Sequence, residues 1–171
     1  QCGVTDIVTN YPGPALDDLL EVKRRIERVG LRLSVIEGYL PIENIKLGRD
    51  DGTELEELKS LVQYMGNASI PVLCYNFMAG TDWVRTSVSE PERGGALVTG
   101  FDLSLLDQAV SLDDASRPLE YQEISADQLW ENLGYSLERV IPEAERLVVE
   151  LAMRPDDPPL VPLMGRARIM N

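Results

Sequence analysis

Short apolar, β-branched runs alternate along the chain with longer segments in which apolar residues recur every three or four positions. The runs predict strands at residues 4–9, 31–37, 70–76 and 148–153, and the longer segments predict amphipathic helices. The apolar stripes of these helices are Leu16, Leu19, Val22, Ile26 and Val29, then Leu55, Leu58, Leu61 and Met65, and finally Leu129, Leu133, Leu137 and Ile141. This alternation is typical of βα units around a parallel sheet.

Three local signals refine the helices. Thr53 with Glu56, and Ser125 with Gln128, have the spacing of a capping box at the start of a helix. Pro142 lacks the N–H of a helical hydrogen bond and therefore predicts a kink or an interruption in the last helix.

Residues 77–125 show neither the apolar runs of the strands nor the apolar spacing of the helices, and we predict a long, mostly irregular βα loop there. Loops of this length in compact domains are usually lids or binding loops. Four parallel strands with three linking helices fit either an open doubly wound sheet or part of a (β/α)8 barrel, which typically needs about 250 residues. The pattern alone does not choose between them.

Composition excludes several classes of function. The chain has 171 residues, and 16 Lys+Arg against 29 Asp+Glu give a net charge of −13. This balance argues against nucleic acid or an anionic membrane as the main partner, because both need a cationic face. A small anionic substrate remains compatible, since one local arginine binds a carboxylate whatever the global charge.

Histidine does not occur, so imidazole bases, Ser-His-Asp and Cys-His nucleophiles and His-containing metal sites are excluded. The two cysteines, Cys2 and Cys74, could form one disulfide at most. We see no signal-peptide pattern and no apolar run of membrane-spanning length, so we expect reduced thiols and a cytoplasmic protein. The chain starts at Gln1 directly with a strand pattern, and we therefore expect it to be a piece of a longer protein.

Polar residues cluster where the predicted strands end, which is the functional edge of a parallel sheet. Carboxylates and amides that converge there suit a polyhydroxylated ligand, although strand ends are also polar simply because they are wet. The residues concerned are Thr9, Asn10, Glu37, Asn76, Arg154, Asp156 and Asp157.

The stretch from Cys74 to Thr86 is the most unusual part of the sequence. Alternation places Cys74 and Asn76 on one face of the third strand and Tyr75 and Phe77 on the other.

Asp82, Trp83 and Arg85, in the second half of this stretch, allow two interpretations. Arg85 presents a fork that matches a carboxylate, and Trp83 could line one face of a sugar. The alternative is an Asp82–Arg85 ion pair packed under Trp83.

Two acidic pairs have simpler interpretations. Asp113 and Asp114 are expected on a solvated face. Asp156 and Asp157 could bind a hard cation, but adjacent carboxylates point in different directions, which favours a cap or turn role.

On several stretches the sequence resembles the mannonate dehydratase family, sugar-acid lyases with a xylose-isomerase-like (β/α)8 barrel. The resemblance implies a chain of about four of the eight βα units, an incomplete barrel domain over residues 1–171. The matching stretches are residues 3–9, 35–37, 45–50, 74–78, 82–86, 155–160 and 168–170.

The resemblance also implies a chemistry. In that family Mn²⁺ or Fe²⁺ assists the loss of water from D-mannonate, which gives 2-keto-3-deoxy-D-gluconate. From their position at the strand edge, rather than from the family, we predict Glu37, Asn76 and Arg85 as substrate contacts, with Arg85 on the carboxylate.

The chain departs from the family in two ways. Arg154 stands where the family has a metal-binding histidine, and a guanidinium has no lone pair to offer. The other metal ligands and the catalytic residues are expected beyond Asn171, and the resemblance implies that the opening barrel strand precedes Gln1, so that this chain supplies strands two to five of eight. We therefore expect no turnover by this chain alone, and association with further copies or poor solubility because of its unpaired strand edges. A sugar isomerase or epimerase of the same barrel class, and a non-catalytic remnant, stay as alternatives.

Overall fold

The computed structural model describes residues 3–112 and 121–170. Gln1, Cys2, the pair Asp113 and Asp114, and Asn171 lie outside the described residues. The elements, in chain order, are β1 (Asp6–Thr9), α1 (Leu16–Glu27), β2 (Arg32–Glu37), α2 (Glu43–Lys46), α3 (Thr53–Asn67), β3 (Val72–Tyr75), β4 (Val84–Arg85), β5 (Ser87–Pro91), β6 (Leu97–Gly100), β7 (Val110–Ser111), α4 (Ala126–Leu147) and β8 (Glu150–Met153).

The four predicted strands form one parallel sheet in the order β1-β2-β3-β8. This confirms the mixed α/β class. The last strand begins two residues later than predicted, because Val148 ends α4 in the left-handed conformation and is 83% exposed.

The helices and the sheet share one apolar core. Leu33, Ile36 and Leu73 of the sheet pack in the same cluster as the buried stripes of α3 and α4. Complete burial of such a side chain contributes roughly 1.5–3 kcal/mol relative to exposure. The core therefore fixes the strand ends, and with them the residues at the carboxyl edge. No helix in the described ranges is both long and apolar enough to cross a membrane.

The two predicted capping boxes have different outcomes. Ser125 caps α4 with Gln128 as predicted. The box at Thr53 is wrong, because Thr53 is already the first helical residue and Gly52 is the N-cap. Asp50 satisfies the first turn instead: its carboxylate accepts hydrogen bonds from the backbone N–H groups of Glu54 at 3.0 Å and Leu55 at 3.3 Å.

Of the kink or interruption predicted at Pro142, the interruption is wrong, since α4 continues through this residue to Leu147. The buried face of α4 includes Val140 and Ala144, whereas Ile141 is 39% exposed. Packing of this face into the common core outweighs the one hydrogen bond that the proline removes.

The segment predicted as mostly irregular contains two antiparallel strand pairs, β4 with β7 and β5 with β6. At the β5–β6 turn the N–H of Glu92 donates to the carbonyl of Ala96 at 2.8 Å. Gly94 and Gly95 supply the positive φ angles of 70° and 80° that this turn requires. The glycine pair was the visible signal for a hairpin.

Candidate functional site

The carboxyl ends of β2, β3 and β8 bring three side chains together across the sheet. Glu37 pairs in register with Cys74, and Cys74 with Ala152. Arg154 follows β8, and its backbone N–H continues the ladder by donating to the carbonyl of Tyr75 at 2.7 Å. Because side chains alternate along a strand, Arg154 shares a face with Ala152, and therefore with Cys74 and Glu37.

Arg154 reaches across β3 to Glu37. Its Nη1 donates to Glu37 Oε1 at 2.8 Å, and the two side chains are 30% and 27% exposed. The guanidinium carbon lies 4.2 Å from the ring centroid of Trp83, whose ring stacks against that of Tyr39. We call Glu37, Tyr39, Cys74, Trp83 and Arg154 the edge site.

The backbone of the edge site is strained at both aromatic residues. Tyr39 and Trp83 have φ values of 54° and 53°, a left-handed conformation that bulky residues rarely adopt. The indole Nε1 of Trp83 is buried and has no hydrogen-bond partner among the described residues. Such strain and such unpaired donors cluster at functional sites.

The thiol of Cys74 lies between the two charged groups and is free. Burial raises its pKa, the carboxylate of Glu37 raises it further, and Arg154 opposes both. The thiol is therefore protonated and uncharged at neutral pH.

A second polar group lies beside the edge site, and we call Glu43, Lys46, Asn76 and Asp82 the buried ion cluster. The ammonium of Lys46, 3% exposed, donates to Asn76 Oδ1 at 2.9 Å and to Asp82 Oδ2 at 3.0 Å, and lies 3.7 Å from Glu43 Oε2. Asn76 Oδ1 also accepts from the N–H of Met78. Burial is the main reason that the pKa of Glu43 is raised.

Arg168 and Asp156 are buried as well, at 4% and 5% exposure. Arg168 Nη2 donates to the carbonyl of Thr81 at 3.3 Å, and Asp156 Oδ2 accepts from the N–H of Met170 at 2.9 Å. Burial lowers the pKa of Arg168, while the nearby acidic groups oppose that shift.

Arg85 belongs to neither group. Its three nitrogens donate to Thr99 Oγ1, to the carbonyl of Val84 and, at 2.7 Å, to Asp157 Oδ2. The predicted Asp82–Arg85 ion pair is therefore wrong, because Lys46 is the partner of Asp82.

The neighbouring pair of acids agrees with the sequence analysis. Asp156 and Asp157 serve different partners, Met170 and Arg85, as expected for adjacent carboxylates. The strand alternation is confirmed for Tyr75, which packs with the core while Cys74 contributes to the edge site.

The predicted substrate contacts thus lie in three settings. Glu37 is in the edge site, Asn76 is in the buried ion cluster and Arg85 is bound to Asp157. None of these settings tests the predicted contacts, which stay predictions. Sequence reasoning missed Tyr39 and Lys46, although Lys46 lies within the matching stretch 45–50.

The residues described do not fit a divalent metal. Across residues 3–112 and 121–170, no three His, Cys, Asp or Glu side chains are grouped so as to hold one. Arg154, at the position of the expected histidine ligand, is a permanent cation and is bound to Glu37. The positive charge of the edge site therefore comes from the guanidinium of Arg154.

Known proteins resemble this chain over its whole length. A family model described as D-mannonate dehydratase (UxuA) matches residues 1–171. Mannonate dehydratase of Streptococcus equi subsp. zooepidemicus is 36% identical over 98% of this chain and 50% of the relative. The Thermotoga neapolitana enzyme is 32% identical over 91% of the chain and 50% of its own length.

A solved structure also matches this chain. The crystal structure of mannonate dehydratase from Streptococcus suis serotype 2 superposes with a TM-score of 0.82 at 34% identity, covering 99% of this chain and 51% of that one. The chain thus spans about half the length of the relatives that it matches. With a family model that matches residues 1–171 and a relative that is 36% identical over 98% of the chain, this chain belongs to the D-mannonate dehydratase family of hydro-lyases.

Proposed function

We propose that this chain provides the sugar-acid-binding edge of a mannonate dehydratase, an enzyme that removes water from D-mannonate to give 2-keto-3-deoxy-D-gluconate. The observation that carries the proposal is the edge site, in which Arg154, Glu37 and Trp83 meet at the carboxyl ends of parallel strands. In parallel α/β folds this edge is where substrates bind.

The proposal includes the barrel. The strands β1, β2, β3 and β8 neighbour one another in the order in which the chain makes them. A doubly wound sheet reverses its strand order at a switch point, whereas a (β/α)8 barrel keeps it. The sequential order therefore supports residues 1–171 as about four of the eight βα units of a barrel domain, in which residues 77–125 follow β3.

The edge site offers the groups that a sugar acid needs. The reaction removes the C2 proton, which the adjacent carboxylate makes only weakly acidic, and the C3 hydroxyl leaves with that proton as water. Arg154 is a cation for the substrate carboxylate, Glu37 accepts hydrogen bonds from hydroxyl groups, and Trp83 holds Arg154 in place through a cation–π contact at 4.2 Å. Glu37, Asn76 and Arg85 remain our proposed substrate contacts from the sequence, but we propose Arg154 rather than Arg85 for the carboxylate, because Arg85 is already paired with Asp157 at 2.7 Å.

The Mn²⁺ or Fe²⁺ of the family would need ligands other than those that the described residues provide. The proposed partners are a small sugar acid and further copies of the protein. The proposed location is the cytoplasm, where the free thiol of Cys74 stays reduced.

A second candidate is a sugar-acid-binding protein without dehydratase activity. The Arg154–Glu37 pair favours it, because this pair occupies the position at which the resemblance places a metal ligand. Binding is common to both candidates, and formation of 2-keto-3-deoxy-D-gluconate separates them.

Binding calorimetry with D-mannonate and with D-mannitol tests the proposal. D-mannitol has the same hydroxyl arrangement but a CH₂OH group in place of the carboxylate. We expect saturable binding of D-mannonate and binding of D-mannitol at least about tenfold weaker, since a charge-assisted fork contributes that much. Equal affinities, or no saturable binding of D-mannonate, would contradict the proposed function.

A further inference from the structure

The cation of the edge site has unused binding capacity. Within the described residues, the bond from Nη1 to Glu37 is the one side-chain hydrogen bond of Arg154. The side chain is 30% exposed. A guanidinium has five N–H donors in a planar fork, so donors remain for a ligand that approaches from solvent.

Trp83 fixes this cation without using its donors. The guanidinium carbon lies 4.2 Å from the centroid of the indole ring, a cation–π contact. The hydrogen bond to Glu37 also restrains the guanidinium, and the backbone hydrogen bond to Tyr75 restrains the main chain from which the side chain extends. Arg154 is thus preorganised, which lowers the entropy that a ligand must overcome on binding.

Arg85 has less spare capacity and is less accessible. Its side chain is 13% exposed, and each of its three nitrogens already donates to a protein acceptor. A carboxylate at Arg85 would have to displace Asp157 from a 2.7 Å ion pair. Arg154 needs no such displacement.

We propose that Arg154 binds the carboxylate of the sugar acid directly, as a fixed cation in the place of a metal ion, so that this chain binds sugar acids without a divalent metal. The proposal rests on the proposed function and adds to it that the contact between Arg154 and the carboxylate is direct and needs no divalent metal. In a protein of charge −13, an anion needs such a local cation to approach the edge of the sheet.

Tryptophan fluorescence is a suitable probe, because the chain has two tryptophans and Trp83 contacts Arg154. The other, Trp130, is 52% exposed on α4, so Trp130→Phe leaves Trp83 as the reporter. D-mannonate is titrated into this variant first with EDTA and then with excess MnCl₂. We expect the same dissociation constant in both, within about twofold.

Arg154→Ala is expected to weaken binding at least about tenfold, the usual effect of losing a charge-assisted fork. The matched control is Arg146→Ala, which removes an exposed Glu143 partner on α4 and should change affinity by less than about twofold. Arg154→Lys keeps the charge but loses the fork, so its affinity for D-mannonate should lie between those of Arg154→Ala and Arg146→Ala. If Arg154→Ala does not fold, the affinity of Arg154→Lys tests the role of Arg154.

The outcomes separate the two proposals. Binding that requires Mn²⁺, or binding that neither substitution at Arg154 weakens, overturns the role of Arg154 and leaves the proposed function standing. Failure of D-mannonate to bind in either buffer overturns both.

Discussion

The ammonium of Lys46 lies 3.0 Å from Asp82 Oδ2, and this bond ties α2 to the residue that directly precedes Trp83. The edge site thus depends on a buried charge that does not belong to it. Removal of one partner from a buried pair leaves the other charge uncompensated, which typically costs about 3–5 kcal/mol. Because the Asp82 side chain is 23% exposed, we expect the lower end of this range here.

Lys46→Met should therefore lower the free energy of unfolding by about 3 kcal/mol, measured by urea denaturation. It should also shift the fluorescence of Trp83, since the loop before it loses its anchor. The control is Lys59→Met on the surface of α3, where the partner Glu56 is 71% exposed and the expected loss is below about 1 kcal/mol. Equal losses for the two variants would show that the Lys46–Asp82 bond is not a structural anchor.

Glu43 predicts a specific dependence of stability on pH. Burial raises the pKa of its carboxyl above the usual 4.5, so ionisation opposes folding. This cost is complete above the raised pKa and disappears below 4.5, where the group is protonated in both states. Glu43→Gln should consequently raise the melting temperature at pH values above the raised pKa and leave it nearly unchanged below 4.5.

A melting profile over pH for both proteins checks this, with Glu143→Gln as the control. The hydrogen bond from Arg146 lowers the pKa of Glu143, so the Glu143→Gln variant should instead lose stability at neutral pH. A Glu43→Gln variant that is less stable than the parent at neutral pH would contradict the argument.

We expect no Mn²⁺-dependent conversion of D-mannonate by the 171-residue chain, because its described residues offer no set of three metal donors. The assay follows 2-keto-3-deoxy-D-gluconate, and the Streptococcus suis enzyme serves as the positive control. Turnover above the uncatalysed background that EDTA abolishes would show that this chain assembles a metal site.

The free edges of β1 and β8 predict self-association. Each edge strand has one neighbour in the sheet of the described residues and presents unpaired backbone groups on its other side. Light scattering after size-exclusion chromatography should report a mass above 19.0 kDa that rises with concentration. A concentration-independent monomer with cooperative melting would contradict this.

The sequence predicted the parallel sheet because each of its strands is a short apolar run between helical stripes. It failed where long-range packing decides the outcome. Pro142 is tolerated because the buried face of α4 packs into the core, and Asp50 replaces Thr53 as the cap because its carboxylate reaches two N–H groups. Neither is visible in local spacing.

The candidate site shows the same division. The order of residues along β2 and β8 placed Glu37 and Arg154 at one edge, and the structure joins them in an ion pair. The partner of Asp82 could not be found in this way, because Lys46 is 36 residues distant and the neighbouring Arg85 looked equally suitable. The fold determines that Lys46, and not Arg85, is the partner of Asp82.

The most direct test of sugar-acid binding at the edge site is the ¹H–¹⁵N NMR spectrum of the arginine Nε–H groups during titration with D-mannonate in EDTA. The Arg154 resonance is assigned by its loss in Arg154→Lys. If Arg154 binds the sugar acid, this resonance shifts most and saturates with the ligand. A saturating shift at Arg85 with none at Arg154, or no saturating shift at any arginine, would contradict binding at Arg154.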